Sequence, residues 1–465
     1  MTSTEQAGSL VATTSGRKVN RERFATGIGV LMATLGSAVG LGNIWKFPTL
    51  TGSNGGAAFL IVYLVCTLLV GLPIMITEQA LGRKGRSDAV NSLKRIAPGK
   101  AWWLIGAMGI LAAFLIMAFY TDVAGWVLAY IFKSASGALL STNPETNSAA
   151  FNALASNPLQ SLVWQWIALG LTGGIIMLGV TKGIEATTKR LMPILFGLLV
   201  LVCIRSLTLP GAGQGLAFLF NPDFSKITAG AVLTALGLAF FKLSIGMGCM
   251  ITYGGYYGDE QNIPGTATRV VLADLAVSIL AGIAVFPAVF AFGFKPDAGA
   301  SLLFITIPAV FASMPLGSIF MVIFFVLTFI ASVGAQLSLL EVIAAYLKSQ
   351  FNYSRVKAAL FTIIPLAVIG STAALSSSTL AEVKVFGMTF FDLYDYVSSN
   401  LLLPVGGLFL AVFAGWFWGY PQVKAALTNE EKLANEGVVK ILYGILRFIT
   451  PILVVIVLLK GLKVF

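Results

Sequence analysis

Eleven apolar runs, most of them twenty residues or longer, set what this chain can become. Runs of that length cross a bilayer as helices, because about 20 residues at roughly 1.5 Å each match the hydrocarbon thickness. A membrane barrel would instead show alternating strands of about ten residues. The runs fall at roughly 24–49, 56–82, 102–133, 159–180, 187–209, 229–257, 267–294, 315–350, 356–375, 388–418 and 439–460. Composition agrees: 57% of residues are hydrophobic and 11% charged, against about 25% charged in a soluble domain. Several runs exceed what a bilayer needs, so tilting, unwinding or extension beyond the lipid is expected.

Two of the runs are interrupted. Gly36 to Pro48 reads GSAVGLGNIWKFP, with three glycines, a serine and an asparagine where a membrane helix should be most regular. Unwound backbone survives in hydrocarbon only where it lines a protein-buried cavity, and such interruptions point to a transporter binding site. Close helix packing through Gly36 and Gly40 is the other reading. The nearby Asn43, Lys46 and Pro48 favour a break. The sixth run repeats the oddity as FFKLSIGMGCM, Phe240 to Met250, centred on Gly246 and Gly248. Breaks five spans apart predict two five-helix halves in inverted orientation, with the site between spans 1 and 6 near the midplane.

Charge sets the topology. Arg17, Lys18, Arg21 and Arg23 precede the first run and read as part of a cytoplasmic tail, since the run is too long for a signal peptide and lacks a small-residue cleavage site. The 83–101 loop then lies inside, with Arg83, Lys84, Arg86, Lys94, Arg95 and Lys100 against one acid, Asp88. The 134–158 loop has no Lys or Arg. That contrast is the positive-inside pattern. Eleven spans place the C-terminus outside, with Lys460 and Lys463 a mild exception. The net charge of +11 therefore calls for no nucleic-acid partner. The absence of histidine removes histidine-based zinc sites and the commonest general base. Cys66, Cys203 and Cys249 lie inside apolar runs, as small core residues do. With no nucleophile–base constellation and no metal cluster, an enzyme is not expected. Residues 1–23 form the tail and 24–465 one transporter domain. Its first repeat covers about 24–209, the second about 229–418, and an extra helix about 439–460.

Ordered motifs along residues 24–460 resemble the neurotransmitter:sodium symporters, whose bacterial members include the leucine transporter. They are GSAVGLGNIWKFP, NGGAAF at Asn54, GLPIMITEQALGR at Gly71, AGWVLAY at Ala124, KGIEATTKRLMP at Lys182 and RSLTLPGA at Arg205. NPDFSKI at Asn221, the span 6 core, FPAVFAFG at Phe286 and SLLEV at Ser338 complete the set. The resemblance implies an all-α integral membrane protein of the leucine-transporter fold in the plasma (inner) membrane. It implies alternating-access transport of a small amino acid or related amine.

On that resemblance, the substrate amine and carboxylate meet the unwound backbone from Ser37 through Ala38 and Gly40 to Gly42. A helix N-terminus in a dry site suits an anionic group. Tyr120 matches the tyrosine that contacts the carboxylate, and Phe241 the aromatic lid. Ile116, Ser244, Met247 and Leu339 match the side-chain pocket, with core packing the other reading of its apolar members. Lys46 and Asp395 match the outer gate, Arg21 and Tyr256 the cytoplasmic gate. The acid that usually opposes that arginine falls near Ser349, beside Lys348, so this closure is either weaker or differently partnered. Glu78 and Glu341 match buried acids, read as partners of unwound backbone or hydroxyls, with proton carriage the minor reading.

The sequence departs from the family at both cation sites. The first uses the Ala38 carbonyl, Asn43, a hydroxyl in span 6 and an amide or acid in span 7. Lys242 occupies the hydroxyl position and Asp274 the last. Lys242 lies roughly 20 Å along the helix from either end of its span, and a stem of about 6 Å cannot snorkel that far. Its ammonium needs an internal anion, Asp274 first and the substrate carboxylate second, so that Lys242 is also a substrate-binding residue, or must lose its proton. The second site takes carbonyls of Gly36, Val39 and Ala331 plus two adjacent hydroxyls, here Gly334 and Ala335. A register shift would bring Ser332 or Gln336 there instead.

The expectation is thus a secondary transporter with weak or absent sodium dependence, in which Lys242 stands in for a sodium ion. No cofactor is expected beyond the Na+ that the resemblance implies. A structural Lys242–Asp274 pair, proton exchange between the two, a conventional sodium symporter, and a non-transporting sensor of the same fold are the other readings.

Overall fold

The computed structural model describes residues 22–296 and 302–461. Among them nine helices are long and apolar enough to cross a membrane: Ala57–Gly85, Trp103–Ala135, Pro158–Met177, Val180–Leu207, Ile263–Ala291, Gly317–Phe351, Arg355–Ser377, Phe390–Leu427 and Glu436–Ile456. These are spans 2–5 and 7–11. Span 1 is the bent pair Gly27–Ala38 and Gly42–Ser53, with an angle of 48° between its halves. Span 6 is Ala229–Lys242 and Cys249–Gly255, joined by non-helical backbone.

Both breaks have local causes. In span 1, the helix ends as Val39 turns to extended backbone. It resumes in a wide turn in which Phe47 N–H bonds the Gly42 carbonyl. In span 6, Ser244, Gly246 and Gly248 have φ of +53°, +77° and +75°. Glycine adopts this left-handed region without steric penalty, and a chain of L-residues cannot pass through it as a helix. At Gly246 a second constraint applies, since an added Cβ would stand 2.6 Å from the Leu403 carbonyl oxygen.

The broken spans, with spans 3 and 8, form the centre, and spans 3 and 8 share the longest interface. Spans 4, 5, 9 and 11 turn large apolar side chains outward, including Leu171, Ile204, Val368 and Ile452. So much exposed apolar surface is compatible with lipid, where it costs nothing, and not with water.

The loops hold more structure than a search for long apolar runs detects. The 83–101 loop contains a helix, Ala89–Ile96, capped by Asp88, whose carboxylate accepts from Val90 and Asn91 N–H. It packs so closely on span 3 that a Cβ on Gly106 would meet the Ala89 carbonyl at 2.6 Å. Pro144–Ala155, Ala212–Phe220 and Thr306–Ala312 are likewise helical. Each is about a third to three-fifths of a membrane crossing. Span 10 continues to Leu427, beyond the expected end near 418, after a turn at Gly419 with φ of +76°.

Gly246→Ala should lower stability by about 1–3 kcal/mol, from left-handed strain and the Leu403 contact. Gly237→Ala, in open space on the same span, should not. Thermal unfolding of the two variants in detergent checks this.

Candidate functional site

The two breaks face each other and expose backbone groups that side chains then claim. The Tyr120 hydroxyl accepts from Leu41 N–H at 2.8 Å. Asn43 Oδ1 accepts from Gly40 N–H at 3.2 Å. Across the gap, the Ser244 hydroxyl donates to the Ser37 carbonyl at 2.7 Å, and Glu78 accepts from Gly246 N–H at 2.6 Å. A buried backbone group left without a partner costs about 1–3 kcal/mol, so these bonds make the breaks sustainable.

Between the breaks lies a small pocket lined by Ser37, Ala38, Gly40, Gly42, Ile116, Tyr120, Phe241, Lys242, Ser244, Met247, Ala335 and Leu339. Every residue expected at the substrate is among them. The free space is about 20 Å³, room for a single water. Above Phe241 opens a vestibule of about 560 Å³ that reaches Lys46, Phe391 and Asp395. Lys46 pairs with Asp395 at 2.8 Å, and its ammonium lies 3.9 Å from the centre of the Phe241 ring. Lys46, Asp395 and the Phe241 ring thus form one assembly.

Lys242 runs its stem along Gly42, where a Cβ would meet Lys242 Cγ at 2.9 Å. Its ammonium is fully buried and lies 3.1 Å from Asp274 Oδ2. It also donates to the Tyr63 hydroxyl at 2.7 Å and to the Ser278 hydroxyl. Three acceptors meet three N–H donors. Asp274 is matched in turn, since Oδ1 accepts from Asn43 Nδ2 at 2.7 Å and Oδ2 from Tyr63 at 3.3 Å. Ser278 donates to the Asp274 carbonyl at 2.8 Å. The lysine therefore joins spans 1, 2, 6 and 7 through a closed network.

At the second cation position, span 8 turns Gly334 onto span 1, where a Cβ would stand 2.4 Å from the Gly36 carbonyl oxygen. Ala335 and the Ala331 carbonyl face Gly40, and Val39 is fully buried beside them. The alternative register does not occur. Gln336 accepts from Thr172 of span 4 at 3.3 Å and donates to Ser332, which donates to the Phe329 carbonyl.

The fold and this site can now be set beside known proteins. A model of the sodium:neurotransmitter symporter family matches residues 21–157 and 156–465. The chain belongs to that family.

Among its relatives is YhdH of Bacillus subtilis (strain 168), named an uncharacterized sodium-dependent transporter, 39% identical over 94% of this chain and 97% of its own length. A protein of Haemophilus influenzae with the same description is 33% identical over 95% of this chain and 98% of its own. The crystal structure of MhsT in complex with L-phenylalanine superposes with a TM-score of 0.88 at 44% identity, over 95% of this chain and 100% of MhsT. The architecture is the leucine-transporter fold, and the sodium:neurotransmitter symporter family comprises transporters, not enzymes.

At the N-terminal face, Tyr256 is the described member of the expected pair. Arg21 lies outside the described residues. Tyr256 donates its hydroxyl to Glu341 of span 8. Arg355, at the start of span 9, holds both carboxylate oxygens of Glu341, and reaches Glu22 at 3.3 Å. Lys348 also pairs with Glu22, at 3.0 Å. The acids present among these groups are thus Glu341, from inside the bundle, and Glu22, from the N-terminal segment. Ser349 instead donates to Asp88.

Tyr63, Ser278, Arg355 and Glu22 were not singled out from the sequence. Ser278 had a signal, being one turn from Asp274 on the same face. Tyr63 had a weaker one, as the polar tip in an apolar stretch.

Breaking a buried pair from one side leaves an uncompensated charge, at a cost of about 3–5 kcal/mol. Asp274→Asn should therefore unfold at a clearly lower temperature. Lys242→Met/Asp274→Asn, which removes both charges, should recover most of that loss. Unfolding midpoints in detergent measure both.

Proposed function

We propose that this protein is an alternating-access transporter for an amino acid with a large apolar side chain, in which Lys242 serves as the cation of the first site. The carrying observation is the enclosure of the Lys242 ammonium by Asp274, Tyr63 and Ser278, where the family places an ion. The N-terminal face is cytoplasmic, in accord with the basic 83–101 loop, and the vestibule is extracellular.

Pocket chemistry supports the substrate class. Ile116, Met247 and Leu339 supply apolar walls, and Met247 adapts to different shapes. Tyr120 accepts from Leu41 N–H, which leaves its own proton for a carboxylate. Ser37 Oγ is buried and without a partner in the described structure, a second polar group for the substrate. Carbonyls freed by the breaks suit the amine. MhsT, with L-phenylalanine bound, is in keeping with this assignment.

Transport then consists of span 1 and span 6 halves pivoting at their breaks. Lys46–Asp395 closes the outer side, and Glu22–Arg355–Glu341–Tyr256 the inner side. Lys242 neutralises Asp274 throughout and keeps Asn43 aligned, so the first site needs no ion from solution. At the second position only the carbonyls of Gly36, Val39 and Ala331 remain as ligands. They make a poor cage for a hard cation that favours several oxygens.

Conventional sodium coupling through those carbonyls is the second reading, favoured by the sodium-dependent names of the relatives. Uptake of labelled L-phenylalanine into proteoliposomes separates the two. With sodium replaced by choline at fixed pH, most of the uptake should persist. A near-absolute sodium requirement overturns the internal-cation reading. Lys242→Thr should reduce uptake about tenfold or more, equivalent to at least ~1.4 kcal/mol.

A further inference from the structure

Span 3 carries a carboxyl that nothing above employs. Asp122 is 1% exposed, and neither carboxyl oxygen has a hydrogen-bond partner among the described residues. One turn on, the buried Trp126 indole N–H is likewise unpartnered. Phe119, Asp122 and Trp126 stand at i, i+3 and i+7, on one face of the helix. Phe391 of span 10 covers that face. Its ring meets Phe119 edge-on at 5.4 Å and stacks on Trp126 at 5.9 Å, bridging the turns on either side of Asp122. Phe391 also lines the outer vestibule. One aromatic layer therefore stands between Asp122 and the vestibule.

Among the described residues, no charge on the surrounding elements is free to serve as a counter-ion, and the 302–312 segment, whose Phe304 meets Trp126, carries none. Span 10 offers the acids Asp392 and Asp395, the latter held by Lys46, whose ammonium lies 5.6 Å from the centre of the Phe119 ring. Span 8 carries Glu341 and Lys348, and span 9 Arg355 and Lys357, all toward the N-terminal face. Span 4 has no charged residue, and the short 89–96 helix brings Lys94 and Arg95 only to the start of span 3. The helix at 144–155, whose Phe151 touches Trp126, has Glu145 at its far end. An anionic carboxylate sealed here would pay the full penalty of an isolated buried charge.

We propose that Asp122 is a proton-binding site coupled to the outer gate. When span 10 moves away with Phe391, the carboxylate meets vestibule water and ionises. When the layer closes over bound substrate, the carboxylate takes one proton from that water and is sealed as the neutral acid. The balance is one proton bound per closure, with no other bond made or broken. By linkage, alkaline medium outside favours the open gate, and acid outside favours the closed one.

The site rests on the transporter reading only for its link to substrate, so two measurements are paired. In the purified protein, infrared difference spectra between acid and alkaline buffer should contain a protonated-carboxyl C=O band that Asp122→Asn removes. An unchanged spectrum in the variant overturns the proposal, as does a carboxylate change that follows sodium or potassium concentration instead of pH. In weakly buffered detergent solution, adding L-phenylalanine should draw protons from an indicator dye, and Asp122→Asn should abolish that uptake per ligand bound. Binding without proton uptake in the wild type overturns the coupling. Absence of L-phenylalanine binding refutes the proposed substrate instead, and the infrared band still decides the protonation. Trp126→Phe should shift the pH midpoint of the band without removing it; a variant that merely misfolds would lose it.

Discussion

Backbone polar groups in hydrocarbon must find partners inside the protein, and the rest of this structure follows from that requirement. Spans 1 and 6 give up helical bonds at Val39–Leu41 and Leu243–Gly248, and the freed groups are claimed partly within the span, as Gly40 N–H is by Asn43, and partly from other elements. Tyr120 of span 3 serves Leu41, Glu78 of span 2 serves Gly246, and Ser244 ties one break to the other. The centre of the bundle is therefore assembled by the breaks themselves. What remains unclaimed, including the Tyr120 proton and Ser37 Oγ, is what a ligand can use.

Lys242 belongs to the same economy of partners. A lone ammonium at that depth is prohibitive, and a simple ion pair with Asp274 barely offsets its desolvation. Satisfying all three N–H donors changes the outcome, and it requires Tyr63 and Ser278 at fixed positions. The network thereby links span 7 to span 1 through Asn43. On the proposed reading this link replaces one made by an ion, and a tethered cation that cannot leave would make it permanent.

The breaks were legible because glycine clusters inside apolar runs have few explanations in a membrane, whereas the pocket residues were carried over from the family resemblance of the motifs around them. The placement of Gly334 against Gly36 was legible by counting back from SLLEV, since an uninterrupted helix preserves register. The closure at the N-terminal face was not, because Arg355 reaches Glu341 across a helix boundary that no periodicity encodes. The short helices escaped for a different reason. Ala89–Ile96 has a strongly one-sided apolar face but about two turns of length, below what a search for spans recognises. Asp122 was hidden by its neighbours, as a single acid in FYTDVAGW reads as ordinary polar relief until the structure shows that nothing meets it.

On the proposed reading of Lys242, the driving force changes as well. A sodium ion moving down about 100 mV releases about 2.3 kcal/mol, and a tenfold gradient adds about 1.4 kcal/mol. A lysine standing in for that ion would forgo both, since its ammonium does not cross and pairs with Asp274. The loss would amount to roughly a five-hundredfold lower limit on substrate accumulation. Such a protein either exchanges substrate near equilibrium or draws on another gradient. Asp122 lies where a proton could couple to closure, behind the ring that closes with the outer gate. Proton uptake at Asp122 and a fixed cation at Lys242 would thus be two halves of one change, in which coupling passes from spans 1 and 7 to span 3.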